Sequence, residues 1–218
     1  MREALDAVFA SSERMYLYPE ADLEGAVHPR DFGRLPASER DRPDLIMGHF
    51  GFGLHEAITR PARYVTMLRD PLDRVVSLYY HYKTLTPGTP GSPGKDEQEL
   101  IRVGDMSLEE WVFEAKRPAL DNGMVRQLVG YRGVPFGRCP DELLEEALES
   151  ISRHFDAVLI RGRMKQSAEM LGKLVGTRLP TLRRANVNPD RERLDAIDPG
   201  LRMRIRELNR LDNDLFRR

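Results

Sequence analysis

The sequence predicts an α/β protein built on a parallel sheet, and three observations predict it. Short apolar segments alternate with segments of helical period along the chain, the pattern of a sheet covered by helices on both faces. Segment 63–68, Arg-Tyr-Val-Thr-Met-Leu, is mostly apolar without alternation, as a strand buried on two faces requires. That segment then runs through Asp70-Pro71 into a helical stretch, the order of a strand feeding a crossover helix.

Taken in order, residues 2–10 put Leu5, Val8 and Phe9 on one helical face, and 14–18 form a short strand closed by Pro19. Because such a sheet normally opens with a strand, the first strand of the fold is expected upstream of Met1. Residues 20–43 are rich in Pro, Gly, Asp and Arg and predict an irregular connection with one helical turn after Pro36. Residues 44–47 (Asp-Leu-Ile-Met) predict a second strand, running into Gly48-His49, and 63–68 a third. With Asp70 as N-cap and Pro71 in the first helical position, Leu72, Val75, Val76, Tyr79 and Tyr80 keep a helical period. Residues 84–96 are too polar and too rich in Pro and Gly to pack, and predict a mobile surface loop. Helices are predicted at 107–115, 120–129 and 139–154, a fourth strand at 157–160 and a helix at 165–175. After the Arg- and Asn-rich stretch 178–193, one terminal helix is predicted over 199–216.

Size and composition bound the rest. The 218 residues, 40% hydrophobic and 32% charged, suit one globular domain over 1–218. No apolar run approaches the roughly 20 residues that span a bilayer. With 34 basic against 35 acidic residues the net charge is −1, so nucleic acid and anionic membranes are not drawn by bulk charge and any anion site must be local. Cys139 is the single cysteine, which excludes an intrachain disulfide and a Cys-rich metal cluster and suggests a reducing compartment. The N-terminus shows no basic stretch followed by an apolar one, so a cytoplasmic location is expected. A phosphoryl-transferring kinase is disfavoured, because no Gly-x-x-x-x-Gly-Lys-(Ser/Thr) loop and no acidic metal cluster occurs.

Residues 63–83 carry the most chemistry. A buried strand ends at Arg69, and the helix that starts after Asp70 offers unpaired N–H groups and the positive end of its dipole. Arg69 can present a bidentate fork to an anion, and Ser77, two turns on, a hydroxyl. The alternative is that Arg69 pairs with Asp70 or Asp73 and Ser77 only packs. His49 falls just past a strand end, on the edge where open α/β sheets bind ligands, and an imidazole with an ordinary pKa of about 6.5 takes up protons near neutrality. It could equally be a loop histidine satisfied by backbone groups. His55 is a weaker candidate, and His28, His81 and His154 look like surface or helix residues. Asn122 and Arg126, four apart, share one helix face; they either reach a ligand or brace the helix.

The series Arg69, Asp70, Pro71, Arg74, Ser77, followed by Tyr79-Tyr80, resembles the 3′-phosphate motif of sulfotransferases that use 3′-phosphoadenosine 5′-phosphosulfate (PAPS). It is most similar to the group containing the heparan sulfate 2-O- and 6-O-sulfotransferases. The resemblance implies a P-loop-NTPase-like sheet, a PAPS donor whose product is adenosine 3′,5′-bisphosphate (PAP), and a hydroxyl-bearing acceptor, a carbohydrate being one candidate beside a lipid or a small alcohol. It implies that Arg69 and Ser77 hold the 3′-phosphate, leaving Arg74 as either ligand or structural. Ile46-Met47-Gly48-His49-Phe50 resembles the strand end that supplies the base in the 2-O branch, which implies His49 as that base. Residues 120–128 resemble the Asn-x-x-x-Arg helix of the 6-O-type enzymes, which implies Asn122 and Arg126 as cofactor contacts. The Pro-Lys loop with which such enzymes cradle the 5′-phosphosulfate does not occur in the sequence. A second expectation therefore stands beside the first: an N-terminally truncated, catalytically impaired nucleotide-binding or interaction module of the same fold.

Overall fold

Two parallel ladders organise the chain in a computed structural model that describes residues 1–9, 13–18, 25–85, 104–179, 188 and 191–218. Strand β1 (Arg14–Leu17) pairs with β2 (Leu45–Gly48), Leu17 lying opposite Gly48. Strand β3 (Tyr64–Leu68) pairs with β4 (Phe155–Ile160), Leu68 opposite Ile160, with a register irregularity at Tyr64/Val65. The parallel pairing agrees with the sequence. The expected single sheet is divided, since the described residues form two two-stranded ladders.

Helices cover both faces of the second ladder, as the apolar strands required. On one face Leu68 clusters with α5 (Gly123–Leu128), α6 (Glu142–His154) and α9 (Arg210–Arg217), Val158 and Ile160 packing alongside. On the other, Ala157 and Leu159 pack with Leu5 of α1 (Arg2–Asp6) and Leu171 of α7 (Met164–Leu174). Leu45 and Met47 of β2 and Met67 of β3 join this second cluster, so one apolar layer is shared by both ladders. One turn of helix, α2 (Ala37–Arg40), follows Pro36 as predicted.

Helix α3 (Pro71–Thr84) follows β3 and begins as its sequence dictates, with Pro71 at its first position and the Asp70 carboxylate accepting from the Asp73 N–H at 2.8 Å. Its apolar face, Leu72, Val75, Val76 and Tyr79, is buried against Trp111 and Val112 of α4 (Leu108–Phe113) and Ile205 of α8 (Pro199–Leu208). Ser107 and Glu110 close a reciprocal capping box at the start of α4. The predicted loop 84–96 lies outside the described residues except for Thr84 and Leu85, and most of 178–193 does too.

Two predicted helices differ. Stretch 120–129 is a short 3-10 turn (Pro118–Leu120) followed by α5, because Asn122 adopts a left-handed backbone (φ 50°, ψ 44°). The terminal helix over 199–216 is broken into α8 and α9 at Asn209 (φ −109°, ψ 34°). Both breaks have one cause. The Asn209 carboxamide accepts from the Asn122 N–H at 3.0 Å and donates to Leu120 O at 2.9 Å as well as to Ile205 O of its own helix at 3.0 Å, so the two joints are tied to each other.

Candidate active site

The carboxyl ends of the first ladder and the first half of α3 build the site. At Gly48 (φ 157°) a Cβ would lie 1.8 Å from Leu17 O, so no side chain fits there. The His49 N–H donates to that same Leu17 O at 2.8 Å, which sets His49 at the ladder's exit. The chain beyond is tied to the end of α5: the Phe52 N–H donates to Gln127 O at 2.8 Å and Gln127 Nε2 to Phe50 O at 3.0 Å. A Cβ on Gly51 would approach Tyr131 to 2.9 Å. The His49 ring meets Tyr18 edge to face, centroids 5.1 Å apart.

His49 keeps solvent contact on one side while neighbouring protein displaces water on the other. That desolvation lowers its pKa below the ordinary imidazole value, and the fields of His81 and Arg74 lower it further. Arg74, Ser77 and His81 stand at positions i, i+3 and i+7 of α3 and so share one face. Among the described residues the Ser77 hydroxyl has no hydrogen-bond partner. Arg74 Nη1 donates to Ala119 O at 2.6 Å, and its guanidinium lies so close to Gly123 that a Cβ there would sit 2.6 Å from Nη2. Tyr131, held at φ 51° and 46% exposed, borders the same region. Partial desolvation by the surrounding protein raises its phenol pKa, while Arg74 acts in the opposite sense.

At the head of α3 the guanidinium of Arg69 is 12% exposed and pairs with Asp73 Oδ2. Asp73 Oδ1 takes Arg191 from the C-terminal quarter of the chain. Burial pushes the Asp73 carboxyl up, but the hydrogen bonds from Arg69 and Arg191 outweigh it and hold the group below the usual carboxylate range. Of the two sequence readings of Arg69, the ion pair is what the structure contains. The helix end is also less open than expected, since Asp70 already takes the Asp73 N–H. Two guanidiniums from distant parts of the chain converge here on one carboxylate, the pairing by which arginine also holds other oxyanions.

Asn122 and Arg126 are not brought to this site. Asn122 is 3% exposed; its side-chain oxygen accepts from the Leu211 and Asp212 N–H groups at 2.9 and 3.1 Å, and its amide donates to Asp121 Oδ1 and Leu208 O. Arg126 is 3% exposed and donates to Asp121 and to the carbonyls of Val134 and Pro135. With these groups spent internally, the bracing reading replaces the ligand-contact reading. His55, the weaker candidate, stacks in an aromatic group with Phe52, Tyr64 and His154, its Nδ1 2.9 Å from the Tyr64 hydroxyl.

Sequence reasoning passed over His81, Tyr131 and Arg191. The i, i+3, i+7 spacing of Arg74, Ser77 and His81 was available as a signal for the first. Tyr131 follows a turn and Arg191 lies in an irregular stretch, where no periodicity marks a side chain's direction. The family model described as galactose-3-O-sulfotransferase matches residues 2–218. No curated protein matches the chain.

Proposed function

The chain belongs to the galactose-3-O-sulfotransferase family and is thereby a sulfotransferase; on that premise we propose that it transfers a sulfuryl group from PAPS to a carbohydrate hydroxyl. The family's description favours a galactoside and its 3-hydroxyl as acceptor. The observation that carries the reading is the placement of His49 at the exit of a parallel strand, near enough to α3 for the charges of His81 and Arg74 to act on its ring. Arg69 stands one residue before that helix's cap.

Bound PAPS supplies the sulfuryl group and the bisphosphate that leaves. Arg69 and Ser77 would hold its 3′-phosphate, the Arg69 guanidinium exchanging its Asp73 partner for a phosphate oxygen. His49, kept neutral by desolvation and by the charges on α3, accepts the acceptor hydroxyl's proton at its unprotonated ring nitrogen. Arg74 is anchored by Ala119 O and by contact with Gly123, so its charge is fixed before substrate arrives. We also infer that the two ladders belong to one P-loop-NTPase-like sheet, which the apolar layer they share supports.

Two variants test the assignment by separating chemistry from binding. His49→Ala should lower turnover by about 100-fold or more while PAP affinity, measured by calorimetry, stays close to that of the parent. Arg69→Ala should weaken PAP by about 2 kcal/mol or more. Equal loss of both properties in His49→Ala rejects it as the base; unchanged PAP affinity in Arg69→Ala rejects the phosphate site.

A further inference from the structure

A second cationic feature lies on the two C-terminal helices. Between positions 202 and 217 five arginines stand against three acidic residues, one of which, Asp212, is fully buried. This local excess sits in a chain whose net charge is −1, so it does not reflect a basic protein. Four of the five, Arg202, Arg206, Arg210 and Arg217, line a groove of about 520 Å³ whose apolar portion includes Leu194, Pro199 and the 69% exposed Met203.

Glu207 and Asp214 line the same groove, so four guanidiniums face two carboxylates there. Arg202 has no carboxylate partner among the described residues. Arg217, 76% exposed, reaches Asp214 at 3.7 Å, and Arg206 reaches Asp70 at 3.6 Å, both long for an ion pair. Arg210 is the exception, paired with Asp141. The Arg206–Asp70 contact also fixes where the groove ends: at the cap of α3, beside the turn that carries Arg69. Planar guanidiniums match sulfate and carboxylate oxygens through paired hydrogen bonds, while the apolar portion suits the C–H faces of sugar rings.

We propose that the groove between α8 and α9 binds an anionic oligosaccharide through its sulfate or carboxylate groups, holding an acidic acceptor chain on the side of the molecule that carries the α3 cap. The proposal rests on the reading of the acceptor as a carbohydrate and adds that the acceptor is acidic away from the hydroxyl that reacts. Arg202 and Arg217 are its chief cationic contacts, and neither touches Arg69, Asp73 or His49.

The test is calorimetric titration of the whole chain with a size-defined heparin octasaccharide, with a neutral oligosaccharide of equal length and a charge-matched single-stranded oligonucleotide as controls. PAP is titrated in parallel. The sulfated probe should bind, the neutral one should not, and affinity should fall as salt screens the contacts. The double variant Arg202→Glu/Arg217→Glu should lose about tenfold or more in affinity for the octasaccharide with its PAP affinity unchanged, which also reports that it folds; Arg202→Ala/Arg217→Ala should fall between it and the parent. Absence of octasaccharide binding, an affinity the variants do not alter, or oligonucleotide binding as tight as the glycan's would overturn the proposal. Failure of the parent chain to bind PAP would count against the donor reading alone, because the glycan titration is read independently of it.

Discussion

At His49, a proton is bound less readily than by a free imidazole, first because its neighbours exclude water and then because His81 and Arg74 repel the added charge. The sign of the resulting pH dependence follows. The base is neutral, and active, above a pKa that lies below the ordinary value of about 6.5, so kcat/KM should rise with pH through that lowered pKa and stay flat across neutrality on this limb. Replacing Arg74 by Gln should move the acidic limb upward, and a pH–rate profile of the two forms checks it; an unmoved limb would show that Arg74 does not face the base. Stability follows the same direction, since the unfolded chain takes up the proton more readily and folding free energy is lost as pH falls from about 6.5 through the folded pKa. His49 itself could be chosen from sequence because Gly48-His49 follows an apolar strand. Its charge environment could not, because the residues that set it lie on another element more than twenty positions later.

Helices α5 and α9 cap each other. Asp212, in the first turn of α9, accepts from the Met124 and Val125 N–H groups at 3.0 and 2.8 Å, while Asn122 accepts from the Leu211 and Asp212 N–H groups. The first-turn donors that short helices leave unsatisfied are thereby exchanged between two elements almost ninety residues apart in sequence. This exchange accounts for both errors in helix prediction: a periodic pattern over 199–216 looks continuous, and nothing local announces that Asn209 turns out of it to meet Asn122 and Leu120. The same exchange misdirected the reading of Asn122 and Arg126, since a polar pair four residues apart looks alike whether it faces a ligand or a buried partner. Asn122→Ala would strand two buried N–H groups and remove two donated bonds, and should cost about 3 kcal/mol of folding stability. The denaturant midpoint should fall at an unchanged slope, and per-molecule PAP affinity in the remaining folded protein should hold. A selective loss of PAP affinity at full stability would restore Asn122 to the donor site.

Across the whole molecule, the elements legible in the sequence were those with a local cause: the apolar strands, the Asp70-Pro71 helix start and the helix that follows Ser107. What the sequence leaves open is how distant parts meet, and Asp73 shows the consequence most clearly. Its carboxylate joins the turn after β3 to Arg191 in the C-terminal quarter, so it both stabilises the ligand-free chain and occupies the guanidinium that the donor's phosphate needs. These two roles give opposite signs on mutation. Asp73→Asn leaves Arg69 and Arg191 uncompensated, which should lower the melting temperature of the free protein by an amount equivalent to about 1–2 kcal/mol, partial solvent exposure limiting the loss. The same change removes a competitor for Arg69, so PAP should bind more tightly and its stabilising effect on melting should grow, because a ligand that binds only the folded state stabilises it by RT ln(1 + L/Kd), with L the free ligand concentration. The ion pair should also weaken in the parent as pH falls through the depressed Asp73 pKa, the parent then approaching the variant. A thermal-shift titration with PAP on both proteins decides the matter. If Asp73 merely aims Arg69, the variant loses both stability and PAP response; if it stands in for the ligand, stability falls while the response rises.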